Sequence, residues 1–293
     1  MKFVNLMPLL KNKGVTMENM ITIKIDNTEV SVPKGTTVLK AAKKANIKIP
    51  TLCYLEGISS AGSCRMCIVY AEKNGKPFRN FPISCKLKVE EGMVIKTNTK
   101  EVLEARRINL ELIFSNHDQK CLSCIRGGEC ELQTLANDLD VNSDRYIGEK
   151  LKFDKDIKSL SIVRDPEKCI LCGRCVAACS EIQQIGAIGV AGRGFETMVK
   201  PAFNKSLSET NCINCGQCIK ACPTGALHEK EDIDLVWEAL SDPSKHVIIQ
   251  TAPSVRVGIA EEFGMPVGTI ATGKMVAGLR RLGFDKIVDT NFG

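Results

Sequence analysis

Cys169, Cys172, Cys175 and Cys179 stand in the spacing C-x2-C-x2-C-x3-C, and Cys212, Cys215, Cys218 and Cys222 repeat it, the second string running into Pro223. No other feature restricts the fold so much. Three cysteines at three-residue intervals wrap the backbone around one cubane, while the distant fourth reaches the neighbouring one. The strings therefore predict two 4Fe-4S sites with exchanged ligands, Cys169, Cys172, Cys175 and Cys222 at one, and Cys212, Cys215, Cys218 and Cys179 at the other. Structural zinc is the competing occupant, but it favours paired cysteines separated by a longer loop. Ser180 follows the first string where proline is usual, which bears on the local turn more than on ligation.

The chain has fifteen cysteines, an odd number, so disulfides alone cannot use them all. One histidine would complete four sets of four. His117, Cys121, Cys124 and Cys130 form H-x3-C-x2-C-x5-C, expected to hold a third 4Fe-4S cluster with imidazole as a neutral donor in place of one thiolate. Taken alone, His117 reads as a capping residue at a helix C-terminus; its spacing to three cysteines argues for a ligand. Gly127 and Gly128 would let backbone N-H groups approach sulfur closely, or simply form a turn. Cys53, Cys64, Cys67 and Cys85, spaced C-x10-C-x2-C-x17-C, suit a 2Fe-2S cluster on loops, although this spacing is less specific and zinc remains the alternative. Gly57, Ser59, Ser60, Gly62 and Ser63 would supply donors to sulfur. One 2Fe-2S and three 4Fe-4S clusters, bound through iron to these residues, amount to about fourteen irons per chain. Iron binding would supply much of the folding free energy, because the cysteine loops are poor in apolar residues.

Periodicity places these strings on an α+β multidomain chain. Ile21, Ile23, Ile25, Val30 and Val32 alternate around Asp26 and Asn27 as a hairpin. Thr36 or Thr37 caps a helix whose Val38, Leu39, Ala41 and Ala42 face inward before Asn46. Strands are expected at 65–71 and 93–97, the first followed by a turn at Asn74, Gly75, Lys76 and Pro77. Asn98 with Glu101 reads as a capping box opening a helix with a stripe of Val102, Leu103, Ile108, Leu112 and Ile113, ending at His117. A glycine-containing insertion, 186–194, separates the two cysteine strings. From Asp232 onward there is no cysteine, and helix, strand (247–250), helix (269–282) and strand (286–289) follow. The expected domains are an N-terminal extension at 1–19, with Met17 or Met20 a candidate start, a β-grasp 2Fe-2S ferredoxin-type domain at 20–97, a small helical 4Fe-4S segment with one histidine and three cysteines at 98–160, a bacterial-type two-cluster ferredoxin domain at 161–231 and the opening of an α/β domain at 232–293. The last has too few elements to cover both faces of a parallel sheet, so a longer polypeptide is expected.

Composition excludes other classes. No stretch of the 293 residues approaches the roughly 18 apolar residues of a membrane span, and Phe3 to Leu10 is broken by Asn5 and Pro8 and too short for a secretory signal, leaving the cytoplasm as default. The net charge of +6 would be offset by roughly seven negative charges on four oxidised clusters, so it does not argue for nucleic acid. Lys40, Lys43, Lys44 and Lys48 read as one solvated helix face. Gly268, Gly273 and Lys274 mimic a phosphate loop, but Met275 replaces the Ser or Thr that would bind magnesium. His228 and His246 lack cysteines at ligand spacing, and Trp237 with Leu235, Val236 and Leu240 reads as a helix packing on the next domain.

A four-cysteine 2Fe-2S domain, a histidine-plus-three-cysteine segment and a two-cluster ferredoxin segment, in that order over about residues 20–230, resemble the N-terminal half of the large subunit of iron-iron hydrogenases. The large Fe-S subunit of respiratory complex I and NAD-linked formate dehydrogenases share the order. The tail, Thr251 to Val257, Glu261 to Gly264 and Gly283 to Phe292, resembles the start of the hydrogenase catalytic domain. The resemblance implies reversible proton reduction at a six-iron cluster held by cysteines further along, with no catalytic residue in this segment and electrons relayed through the Fe-S series. It also implies a hetero-oligomer with a flavoprotein subunit that oxidises NAD(P)H and carries flavin, a small 2Fe-2S subunit and, in some members, soluble ferredoxin. The alternatives are a complex I or formate dehydrogenase Fe-S subunit, or a non-catalytic electron-transfer subunit.

Overall fold

The computed structural model describes residues 19–142, 144–150 and 152–292. The extension expected at 1–19, with the candidate start Met17, lies outside them but for Asn19. The described residues form two compact units, one up to Lys230 and one from Glu231 onward.

The first unit opens with β1 (Met20–Ile25) and β2 (Thr28–Pro33), an antiparallel hairpin. Asp26 and Asn27 both take positive φ, 44° and 72°, as a tight turn matching strand twist requires. The helix α1 (Val38–Lys44) is capped by the Thr37 hydroxyl, which accepts from the Lys40 N-H at 3.4 Å, and buries the four residues expected. The short pair β3 (Tyr54–Leu55) and β4 (Ser59–Ser60) precedes β5 (Tyr70–Lys73), β6 (Lys76–Pro77) and β7 (Met93–Lys96). The sheet order is β2-β1-β7-β5-β6, parallel only between β1 and β7. This is the small mixed sheet gripping one helix. The strand expected at 65–71 is corrected: Arg65 sits at φ 56° and Ile68 makes only an isolated bridge to Ile83, because the chain bends around Cys64 and Cys67 before it can join a ladder. Lys76 and Pro77 are likewise strand, the turn being confined to Asn74 and Gly75 at φ 50° and 75°.

The helix α2 (Lys100–Asn116) is capped by Thr99 rather than Asn98: Thr99 is the last extended residue, and its hydroxyl accepts from the Val102 N-H at 3.3 Å. Its buried stripe is Val102, Arg106, Leu110 and Phe114, at i+4 intervals, with Glu111 beside them. The expected Leu103 and Leu112 are exposed, since two segments pack on a face rotated from the one their hydrophobicity suggested. Then come α3 (Glu131–Asp138), β8 (Ile162–Arg164), α4 (Arg174–Ala177) continuing into a π-helical turn at 178–182, the hairpin β9 (Gly189–Ala191) and β10 (Met198–Lys200) in the insertion, α5 (Gln217–Ala221) and β11 (Leu227–Glu229). β11 returns antiparallel to β8 and closes the repeat.

Asp156 ties this closure together. It is buried and accepts from the Ser206 hydroxyl at 2.6 Å and the Leu207 N-H at 2.9 Å, with the Arg164 guanidinium 3.8 Å away. Burial by itself pushes its carboxyl up, but the hydrogen bonds from Ser206, Leu207 and Lys158 and the charge of Arg164 outweigh it and hold it below 3.8. A depressed folded value means stabilisation that is present above 3.8 and lost as pH falls through the folded value. Asp156→Asn should therefore cost about 2 kcal/mol near neutrality, and urea denaturation should show the gap to wild type closing in acid.

The second unit comprises α6 (Ile233–Ser241), β12 (Ile248–Thr251), α7 (Val255–Glu262), α8 (Thr272–Leu282) and β13 (Lys286–Asp289), with β12 and β13 parallel. The sequence pattern did not disclose α7. Thr269 precedes α8, where its hydroxyl donates to the Pro266 carbonyl at 2.6 Å. No strand leads into Gly268, and Met275 is a buried residue, so the phosphate-loop mimicry has no structural counterpart. Leu235, Val236 and Trp237 are exposed among the described residues, while Leu240 is half-buried.

Candidate iron-sulfur sites

The eight cysteines of the two strings line two cavities. One cavity is lined by Cys169, Cys172, Cys175 and Cys222, and a separate one by Cys179, Cys212, Cys215 and Cys218. The backbone repeats too: Leu171 and Asn214 take φ of 53° and 54°, and Gly173 and Gly216 take 75° and 72°, at matching places in the two strings. Alternating the sign of φ turns successive N-H groups inward, a concavity suited to anions. The Leu171 N-H donates to the Cys169 sulfur at 3.4 Å and the Ala187 N-H to the Cys179 sulfur at 3.3 Å. Burial pushes the thiols up, Cys169 to about 11, Cys172 to about 12, Cys218 to about 11 and Cys175 well above its ordinary value. Gathering four thiolates in such a cavity is unfavourable unless cations gather with them. The donor set thus fits an iron-sulfur group.

Cys53, Cys64, Cys67 and Cys85 are all buried. They form two thiol pairs: the Cys64 thiol holds Cys53 down at about 5, against burial and with help from Gly62 and Ser63, and the Cys85 thiol holds Cys67 down at about 6. Their partners Cys64 and Cys85 are pushed up by the same hydrogen bonds and by burial. The charge of Cys53 acts on Cys67 and Cys85, so the pairs share one neighbourhood. The Leu52 N-H donates to the Cys64 sulfur at 3.4 Å. Of the expected donors, Gly62 and Ser63 stand beside Cys53, whereas Ser59 and Ser60 pair with Tyr54 and Leu55 in β4.

His117 caps the C-terminus of α2, just past Asn116, and opens the cysteine loop. Its N-H bonds the Phe114 carbonyl at 3.1 Å, its ring meets Phe114 edge-on, and burial pulls its pKa down to about 4. The imidazole is therefore neutral at ordinary pH, and its buried Nδ1 has no partner among the described residues. A neutral ring with a free nitrogen suits ligation better than a charged cap. Cys130 is pushed up by burial and by the nearby charges of Cys124 and Cys121. A Cβ on Gly127 would stand 2.9 Å from the Cys121 carbonyl oxygen, so the tight loop excludes a side chain there. Among the described residues, no three of His, Cys, Asp or Glu close tightly enough for a single metal ion. His228 bonds through Nδ1 with the Glu229 carbonyl at 2.8 Å, and His246 faces Asp285 at 3.7 Å.

Contacts between segments were invisible in the spacing. Cys53 and Cys64 share one apolar cluster with Leu110 and Phe114 of α2, Leu132 and Leu135 of α3, and Cys172. The Cys130 thiol donates to the Pro223 carbonyl at 3.6 Å, the Glu131 N-H donates to the same oxygen at 3.1 Å, and a Cβ on Gly225 would stand 2.8 Å from the Cys124 sulfur. The three-residue stretch after Cys222 thus touches both Cys124 and Cys130. Sequence reading missed Gly225 and Arg106; a charge on the i+4 stripe of α2 was the one available signal for the latter.

Known families match in the same order. The 2Fe-2S iron-sulfur cluster binding domain matches residues 18–100, the NADH-ubiquinone oxidoreductase-G iron-sulfur binding region 106–145, the 4Fe-4S dicluster domain 168–226 and the iron only hydrogenase large subunit, C-terminal domain 245–293. The NADP-reducing hydrogenase subunit HndD of Solidesulfovibrio fructosivorans is 50% identical over 280 residues, 94% of this chain and 47% of that protein. Iron hydrogenase 1 of Clostridium pasteurianum is 38% identical over 276 residues, again 94% and 47%. A chain in the crystal structure of an NAD+-reducing NiFe-hydrogenase superposes with a TM-score of 0.65 at 30% identity, covering 72% of this chain and 87% of that one. The chain spans about half the length of the curated relatives it matches. No described helix is long and apolar enough to cross a membrane. The chain belongs to the iron-only hydrogenase large-subunit family, of which it carries the N-terminal iron-sulfur region, sharing modules with the complex I subunit, and the start of the C-terminal domain.

Proposed function

We propose that this chain is the electron-relay portion of a cytoplasmic iron-iron hydrogenase subunit, linking an NAD(P)H-oxidising flavoprotein partner, with a small 2Fe-2S subunit or ferredoxin, to a hydrogen-converting cluster. The observation that carries the reading is the pair of cavities lined by crossed cysteines, in a chain whose residues 245–293 match the hydrogenase C-terminal domain. That last match favours hydrogenase over complex I or formate dehydrogenase. The NADP-reducing relative and the NAD+-reducing neighbour support a nicotinamide link.

The residues would hold one 2Fe-2S cluster (Cys53, Cys64, Cys67, Cys85) and three 4Fe-4S clusters (His117, Cys121, Cys124, Cys130; Cys169, Cys172, Cys175, Cys222; Cys179, Cys212, Cys215, Cys218), which when bound supply one-electron transfer. The protein's part is to place the sites close together, exclude water and donate N-H groups to sulfur, as Leu52, Leu171 and Ala187 do. With all fifteen cysteines committed, no cysteine of this chain remains for the hydrogen-converting centre.

His117→Cys is expected to change one 4Fe-4S signal in electron paramagnetic resonance of the reduced protein and leave the others. Change in every signal, or in none, would overturn the ligand set. Hydrogen oxidation by the fully metallated, full-length complex tests the activity, and its absence would sink the hydrogenase reading.

A further inference from the structure

Arg106 projects from the middle of α2, yet its side chain lies against the cysteine loop of the preceding domain. It is 2% exposed. Its Nη2 donates to the Ile68 carbonyl at 2.7 Å, while Nε is buried without a partner among the described residues. A guanidinium has five N-H donors and a charge that cannot be shed near neutrality. Burial lowers its pKa only to about 10, and the charges acting on it are those of Cys67 first and Asp26 second. Asp26 does not lie within ion-pair distance, and both its oxygens are occupied, by the N-H and the hydroxyl of Thr97. No other described carboxylate pairs with Arg106. A buried cation facing one carbonyl is costly unless an anion compensates it. Ile68 follows Cys67 directly, so the nearest candidate anion is the thiolate set itself.

We propose that Arg106 is the fixed counter-cation of the 2Fe-2S centre at Cys53, Cys64, Cys67 and Cys85, raising its reduction potential from a helix that belongs to the neighbouring segment. The inference rests on the ligand assignment above and adds a positioning residue to it. Reduction adds one negative charge to the centre, and a buried positive charge favours the more negative state. A purely mechanical role, bridging α2 to the Ile68 carbonyl, would need the hydrogen bond but not the charge.

The two roles separate in an electron paramagnetic resonance redox titration of the iron- and sulfide-loaded full chain. Arg106→Gln keeps a donor for the Ile68 carbonyl and removes the charge, whereas Arg106→Lys keeps the charge. The Gln variant should shift the 2Fe-2S midpoint to more negative potential, on the order of tenfold in the oxidised-to-reduced equilibrium, or about 59 mV for one electron. The Lys variant should stay nearer wild type, and the three 4Fe-4S midpoints should not move. An unchanged midpoint in Arg106→Gln with the centre intact overturns the proposal. If Arg106→Gln fails to assemble the centre, Arg106→Lys decides: a near-wild-type midpoint supports the charge role, and a shifted midpoint or failed assembly overturns it. A wild-type chain without a 2Fe-2S signal sensitive to Cys67→Ser would defeat the ligand assignment instead.

Discussion

Cys222→Ser is expected to remove the 4Fe-4S signal that Cys169→Ser removes, and Cys179→Ser the one that Cys212→Ser removes. Each substitution would then act on the cluster of the other string. The cavities separate the eight cysteines in that crossed way: Cys222 lines the cavity of the first string and Cys179 that of the second. The cause lies in the chain path. Cys222 ends α5 with extended geometry and is bonded toward Thr224, whose hydroxyl donates to the Lys168 carbonyl at 2.8 Å, beside Cys169. Cys179 lies in the π-helical turn after α4, with its sulfur held by the Ala187 N-H. The expected loss is one cluster, about four irons of fourteen, measured as iron, acid-labile sulfide and reduced-state spectra. If Cys222→Ser matched Cys212→Ser instead, the exchange would be wrong.

Iron removal should unfold residues 161–230 while leaving the sheet of the first domain folded. The apolar cluster around Ile162, Ile188, Leu207, Ile219 and Leu227 also contains Cys175 and Cys222, with four more cysteines packed on it. Its helices α4 and α5 have four and five residues, and its strands three. Isolated helices under about 12 residues are marginal in water, so packing around the centres must hold them. By contrast, α1 and the five-stranded sheet bury Ile23, Ile25, Val30, Val32, Val38, Met93 and Ile95 in a cluster of sixteen buried residues of which only Cys67 and Cys85 are cysteines. Hydrogen exchange after anaerobic chelation should therefore show peptides from 161–230 unprotected and those from 20–45 still protected. Retained protection across 161–230 would mean that the apolar cluster suffices without iron.

Which residues to nominate for a site was legible wherever the candidate ligands lie close in sequence. Three-residue spacing is a local property, as is the alternation that marks β1 and β2, so both could be read without a fold. Helix caps were less secure, because Asn98 and Thr99 are both competent and only the path of the entering chain selects Thr99. Residues 65–69 carry strand-like side chains, but wrapping around Cys64 and Cys67 overrides that preference. The stripe of α2 was misread at Leu103 and Leu112 because the helix turns toward two partners whose positions the local pattern does not encode.

The sequence by itself determined the family and the order of its iron-sulfur modules along the chain, and it nominated their ligand sets, the exchange between the two strings included, since each depends on residue identity at short separations or on a repeated spacing. Only the tertiary structure decided that Gly225 leaves room for the Cys124 sulfur, and that Arg106 sits beside the loop of Cys67. Those two contacts bring together residues 101 and 38 positions apart, Gly225 with Cys124 and Arg106 with Ile68, and their existence depends on how separately formed segments pack. A linear spacing carries no record of that packing.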